Sequence, residues 1–210
     1  MSREAGVRKL IERVRDAVRA QPVSVAEVPS HAVVRRVPAG AAGLSELFAT
    51  RAAAVGMKVL RAGDGDLPTT IASLLAGRGP TVVAMRDPTL AALATAAAGK
   101  QAVAAGADGL FDCEVGITDV DAAIAESGSL VVSTRGRIRN AWITPPVHIA
   151  IVRASQVLAD LVDLFERDHE SLDAASTTII TGPSKTADIE GVLVTGVHGP
   201  GEVVVVLVDG

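Results

Sequence analysis

Three runs of apolar, mostly β-branched residues constrain this chain more than any other feature: residues 81–85, 147–152 and 203–208. A run that is apolar at nearly every position, not every second one, suits a strand buried on both faces. Between the runs lie segments with helical spacing. Residues 44–55 place Leu44, Leu47, Phe48 and Val55 on one side. Residues 66–76 do so with Ile71, Leu74 and Leu75, and residues 155–167 with Val157, Leu158, Leu161, Val162 and Phe165. Asp87-Pro88 opens an alanine-rich helix over 89–98, with Pro where its missing N–H costs little. Such alternation predicts an α/β fold, a mainly parallel sheet flanked by helices. Weaker patterns predict strands at 58–60, 102–105, 110–114, 129–133 and 177–181, and a loop or strand at 115–118. A short helix is predicted at 119–126 and a helical turn at 186–190. The pattern leaves open whether 203–208 is a central strand or an edge able to pair between subunits of a homo-oligomer.

Ahead of this domain, Val7, Leu10, Ile11, Val14, Ala17 and Val18 form the stripe of an amphipathic helix over 3–20. Its Arg and Lys residues interleave with Glu4, Glu12 and Asp16, the pattern of a solvated face. Pro22 and Pro29 then break the helical pattern. The expected organisation is a helical arm and linker at 1–43 and an α/β domain at 44–210.

Composition excludes several functions. Net charge is −4, aromatic residues are 2% and there is no Tyr, which argues against nucleic-acid binding by a basic footprint or base stacking. No apolar run approaches the ~18–20 residues of a membrane span. The N-terminal segment is charged, unlike a signal peptide, so a cytoplasmic protein is expected. Cys113 is the single cysteine, too few for a disulfide or an iron–sulfur cluster within the chain. No dinucleotide-binding glycine fingerprint occurs, and no histidine pair has zinc-site spacing, so neither cofactor nor metal is expected.

Ligands of such sheets gather in loops, and four clusters stand out there. In the first, Thr118 reads as a helix N-cap with Asp121 completing a capping box. Glu126 ends that helix, before a Gly128 suited to positive φ or close backbone approach and then Ser129. Glu126 there is either a surface residue or a base or nucleophile. The second cluster, Arg135, Arg137 and Arg139 on a glycine-containing loop, is either solvated or a clamp for carboxylate or phosphate. The third, Ser184, Lys185 and Thr186, leads into the predicted helical turn, whose amides suit an anion. Asp188 and Glu190 would complement that turn's dipole. The fourth is His198-Gly199, a turn residue or an acid–base group. His148, inside an apolar strand, reads as a satisfied core or interface histidine.

Taken in order, Gly116-Ile117-Thr118 with Asp121 and Glu126-Ser127-Gly128-Ser129, then Pro145-Pro146-Val147-His148, Gly182-Pro183-Ser184-Lys185-Thr186 and Gly196-Val197-His198-Gly199-Pro200 resemble the LUD-domain family. The likeness is close over 115–208 and narrows to the family's lactate-utilisation C group. It implies a modified Rossmann-like fold, shared with ribose-phosphate isomerases, glucosamine-phosphate deaminases, CoA transferases and formyltetrahydrofolate cyclo-ligase. It also implies a part in oxidising L-lactate to pyruvate alongside iron–sulfur partner proteins. By fold analogy it implies carboxylate chemistry in the region of Asp121 and Glu126. Ser127, Val120 and Lys185 stand where the family commonly has Thr, a small residue and Arg.

Three functions follow as expectations. The first is an accessory component of lactate oxidation holding no redox cofactor of its own. The second is a stand-alone enzyme on an anionic small molecule, with Glu126, Asp121 and His198 catalytic. Its ligand would be held by Thr118, Gly128, Ser129, the three arginines, Ser184, Lys185, Thr186 and Gly199. The third is a binding module without chemistry. Residue chemistry alone gives an α/β domain with an anion-friendly cleft.

Overall fold

A computed structural model of the chain describes residues 3–20, 37, 43–104, 108–167, 169–189 and 192–209. The chain divides into two compact units, Met1–Arg35 and Arg36–Gly210. The first contains the predicted amphipathic helix, α1 (Arg3–Ala20). Of the linker expected before residue 44, only Val37 and Gly43 lie within the described residues.

The second unit begins with α2 (Leu44–Ala54), β1 (Lys58–Gly63), α3 (Leu67–Leu75), β2 (Thr81–Val83) and α4 (Pro88–Ala98). Asp87 caps α4, its carboxylate accepting from the N–H groups of Thr89 and Leu90, so the Asp-Pro signal has the local effect its chemistry requires. Next come β3 (Ala102–Val103), β4 (Val115–Asp119), β5 (Ala122–Ile124), β6 (Ser129–Ser133), α5 (Asn140–Ile143) and β7 (Val147–Arg153). The chain continues through β8 (Val157–Leu158), α6 (Leu161–Arg167), α7 (His169–Leu172), β9 (Thr177–Ile180), β10 (Lys185–Ile189), β11 (Val192–Thr195) and β12 (Glu202–Asp209).

Six strands form one sheet in the order β1-β12-β7-β4-β2-β3, every pair parallel. The run at 203–208 is central, between β1 and β7. Both faces of this sheet are covered, which explains the unbroken apolar runs. On one face, Val204, Val206, Val208, Ile149 and Ile151 pack with Leu67, Ile71 and Leu75 of α3 and Leu90 and Ala94 of α4. On the other, Val203, Val205, Leu207, Ala150 and Val152 meet Phe48 of α2, Trp142 of α5 and Leu130 and Val132 of β6. That second layer includes a four-stranded sheet, β8-β5-β6-β9. Leu164 of α6 packs on its far side, against Ala122, Ile124 and Val131. The hairpin β10–β11 forms a separate two-stranded sheet.

Four expectations are corrected. Residues 119–126 are not a helix: β4 ends at Asp119, β5 follows, and a turn leads into β6. Helix propensity of the alanines loses to a period of two, with Ala123 and Ala125 facing one core and Ala122 and Ile124 the other. Thr118 is therefore a strand residue and not an N-cap, and Asp121 completes no capping box. The helical turn expected at 186–190 is not present over the described residues 186–189: Lys185–Ile189 is a strand paired antiparallel with β11. Glu190 lies outside the described residues. The helix at 155–167 starts only at Leu161, after a 3-10 turn and β8. Asp160 accepts from the Asp163 N–H at 3.0 Å, an N-terminal contact inside the expected helix. The expected strand at 110–114 is instead occupied by a 3-10 turn, Asp108–Asp112.

Gly128 fits its expectation. Its φ is +69°, and a Cβ there would lie 2.3 Å from the Ala52 nitrogen, so the β5–β6 turn sits directly on α2.

Candidate functional site

The parallel strands end in a charged cluster. Asp119, the last residue of β4, accepts from the backbone N–H groups of Arg86 and Asp87 at 3.0–3.1 Å and from Arg137 Nε at 2.6 Å. Asp121 accepts from Arg137 Nη1 at 3.0 Å and from the Ser133 N–H at 2.6 Å. Arg86 Nη1 stands 3.1 Å from Asp121 Oδ1. The Arg137 side chain is fully buried, and its Nη2 has no partner among the described residues. The cluster ties the end of β4, the turn after it, β6, the loop after β2 and the arginine loop into one network. Beside it a cavity of about 330 Å³ is lined by Val83, Met85, Ala91, Thr134, Gly136 and Ile138.

Inside the domain, Thr118 Oγ1 and His148 Nε2 lie 2.9 Å apart, both residues fully buried. His148 Nδ1 has no partner among the described residues. Burial pushes the imidazole down to about 4, because the charged form loses its water. The neutral ring fits the core-histidine reading, with one nitrogen satisfied. This depressed value fixes a sign. Above pH 6.5 the ring is neutral in both folded and unfolded chains. As pH falls from about 6.5 towards 4, only the unfolded chain takes the proton, so stability drops by up to about 3 kcal/mol. His148→Gln, which cannot titrate, is expected to flatten urea-unfolding stability across that window. A variant with the wild-type slope there would remove His148 as its source.

A second cavity, about 230 Å³, lies where the chain enters β7 and β12. Trp142 and Ile143 of α5, Thr178 of β9, Thr181, Ser184 and His198 line it, together with Gly199 and Pro200. Two backbone bonds hold its loops together: the Ser184 N–H donates to the Pro200 carbonyl at 2.8 Å, and the Gly196 N–H to the Ser184 carbonyl at 2.9 Å. A Cβ on Gly199 would lie 3.5 Å from Ser184 Cβ, and one on Gly182 (φ +100°) would lie 2.5 Å from the Val55 carbonyl oxygen. Behind Thr181 runs a file of hydroxyls. Ser129 Oγ lies 2.7 Å from both Thr181 Oγ1 and Ser127 Oγ.

The structure thus sorts the sequence-selected residues into separate places. Ser184, His198 and Gly199 converge on the second cavity, with Ser129 one hydroxyl behind it. Asp121 and Arg137 are partners in the charged cluster. Arg137 is turned inward, whereas Arg135 and Arg139 are exposed, so the three arginines do not share one surface. Glu126 is exposed in the β5–β6 turn, its N–H donating to the Ala159 carbonyl. Lys185 and Thr186 lie in β10. Sequence reasoning missed Asp119, Arg86, Trp142, Thr178 and Thr181 as site residues. The Asp119–Asp121 spacing beside an arginine loop was a usable signal for the first. Nothing local marked the threonines. Among the described residues, no group of three or more His, Cys, Asp or Glu could hold a metal, and no helix is long and apolar enough to cross a membrane.

Comparison with known proteins adds the family. The family model for the LUD domain matches residues 45–208. The chain is 38% identical over 102 residues to "Lactate utilization protein C" of Macrococcus caseolyticus, covering 45% of this chain and 44% of that protein. It is 39% identical over 92 residues to the protein of that name from Geobacillus sp. strain WCH70, covering 41% and 38%. It is 34% identical over 115 residues to "Uncharacterized protein YkgG" of Escherichia coli, covering 50% of each. The chain therefore spans half or less of the length of these curated relatives. Among solved structures, a DUF162 family protein from Deinococcus radiodurans superposes with a TM-score of 0.60 at 20% identity. That match covers 80% of this chain and 96% of the other, a likeness of fold.

Proposed function

The chain belongs to the LUD-domain family, and on that footing we propose that it serves lactate utilisation. It acts in the cytoplasm as a component with no redox cofactor of its own. The observation that carries this reading is the family match over 45–208 together with curated relatives called lactate utilization protein C. Converting L-lactate to pyruvate releases an electron pair, which needs an acceptor. One cysteine, buried Cys113, cannot ligate an iron–sulfur cluster. Any cluster taking those electrons sits on a partner chain, and this domain binds or positions beside it.

Deleting the gene is expected to stop growth on L-lactate while leaving growth on glucose intact. The tagged chain recovered from lactate-grown cells is expected to carry cysteine-rich iron–sulfur proteins in stoichiometric amount. Undiminished growth on lactate would remove the role. A growth defect with a chain recovered alone would remove the partners and favour a stand-alone enzyme.

A further inference from the structure

The cavity beside Trp142 gathers hydroxyl groups able to donate to a ligand. The Trp142 indole N–H donates to Thr178 Oγ1 at 3.3 Å, which makes that oxygen an acceptor and leaves its own proton to point elsewhere. Ser129 Oγ is bonded on both sides, to Ser127 and to Thr181, in a residue 1% exposed. A hydroxyl owns a single proton, so this file has two senses. Running from Ser127 to Thr181, it leaves the Thr181 proton free for a ligand. Running in reverse, it offers a ligand only a lone pair. Ser184 Oγ and the ring N–H of His198 add further donors, and no carboxylate lines the cavity among the described residues. The remaining wall is apolar, from Ile143, Ile180 and Val203.

We propose that this cavity binds a short-chain monocarboxylate, a 2-oxo or 2-hydroxy acid. Its carboxylate accepts from the hydroxyls of Thr178, Thr181 and Ser184, and its alkyl end lies on the apolar wall. Such charge-assisted bonds are stronger than those to a neutral oxygen, and the bound anion selects the donating sense of the hydroxyl file. Size agrees. At about 230 Å³ the cavity falls below the ~300–1,000 Å³ of pockets that take drug-sized ligands. That suits a small acid and is too little to enclose a dinucleotide. The proposal rests on the lactate reading for its choice of ligand, and on the geometry for the site.

Trp142 is the only tryptophan of the chain and lines the cavity, so its emission reports occupancy directly. The full chain is titrated with pyruvate and with L-lactate, and with 1-propanol as a comparably small molecule lacking the carboxylate. A saturable change with an acid and none with the alcohol is expected. Thr181→Val and Ser184→Ala, each with unchanged circular dichroism, are expected to weaken binding by about tenfold or more. Absence of a saturable response to both acids, or wild-type affinity in both variants, overturns the site. Binding with normal growth of the deletion strain on lactate keeps the site and removes the role. A growth defect without binding removes the site alone.

Discussion

Arg137→Met is expected to lower the unfolding free energy by about 3–5 kcal/mol, read as a large fall in the urea midpoint. The guanidinium is fully buried and bonds both Asp119, at 2.6 Å, and Asp121, at 3.0 Å. Those carboxylate side chains are only 8% and 2% exposed, so removing the cation leaves two nearly dry negative charges facing each other. Arg86 offsets little of this, because its side chain is 44% exposed and reaches Asp121 alone. Arg137→Lys should recover only part of the loss, since one ammonium cannot fork to two carboxylates. Adding Asp119→Asn and Asp121→Asn to Arg137→Met should return stability, because the penalty comes from unpaired charge and not from lost packing. A urea midpoint unchanged in Arg137→Met would show that the network adds nothing to stability.

Gly116→Ala is expected to be as damaging, costing more than about 3 kcal/mol and leaving little soluble protein. A Cβ on Gly116 would lie 1.7 Å from the Ala141 carbonyl oxygen and 3.2 Å from Pro145. The obstacle is the backbone of α5, which carries Trp142, so relief requires the whole helix to move off the sheet. Gly65→Ala, where a Cβ meets nothing within 4 Å, is the matched control and should stay within about 0.5 kcal/mol of wild type. Equal melting temperatures for the two variants would contradict the close approach of α5 to β4.

Much of the scaffold was legible because it follows from short-range periodicity. The Val- and Ile-rich runs at 147–152 and 203–208 require cover on both faces, and a parallel sheet supplies it. Asp87-Pro88 puts a capping carboxylate and an N1 proline side by side, a local signal that needs no tertiary partner. The alanines at 122–125 misled because their chemistry satisfies either period. Their helix propensity is worth tenths of a kcal/mol per residue, less than the pairing of β5 with β6 and the packing of small side chains between two cores. The stretch 185–189 misled in a related way, since its polar residues cap a helix as readily as they pair in a two-stranded hairpin.

The site was legible in pieces. Ser184 and His198-Gly199 were chosen from different motifs and proved to share one cavity. Asp121 and Arg137 were chosen for different roles and proved to hold each other. That second result changes their meaning, because a carboxylate and a guanidinium that neutralise one another are a strut. Thr178, Thr181 and Trp142 carried no local mark.

By itself the sequence determined the α/β class, the buried parallel strands, the capped α4 and the lack of cysteines for a cluster. Each depends on residue type and near neighbours along the chain. Only the tertiary structure decided which charges are buried, which hydroxyls meet in one file, which glycines have no room for a side chain, and which cavity the motifs share. These depend on groups many residues apart meeting across β6–β9, β4–β7 and the 182–201 loops. No short-range pattern encodes the partner that a polar side chain meets there.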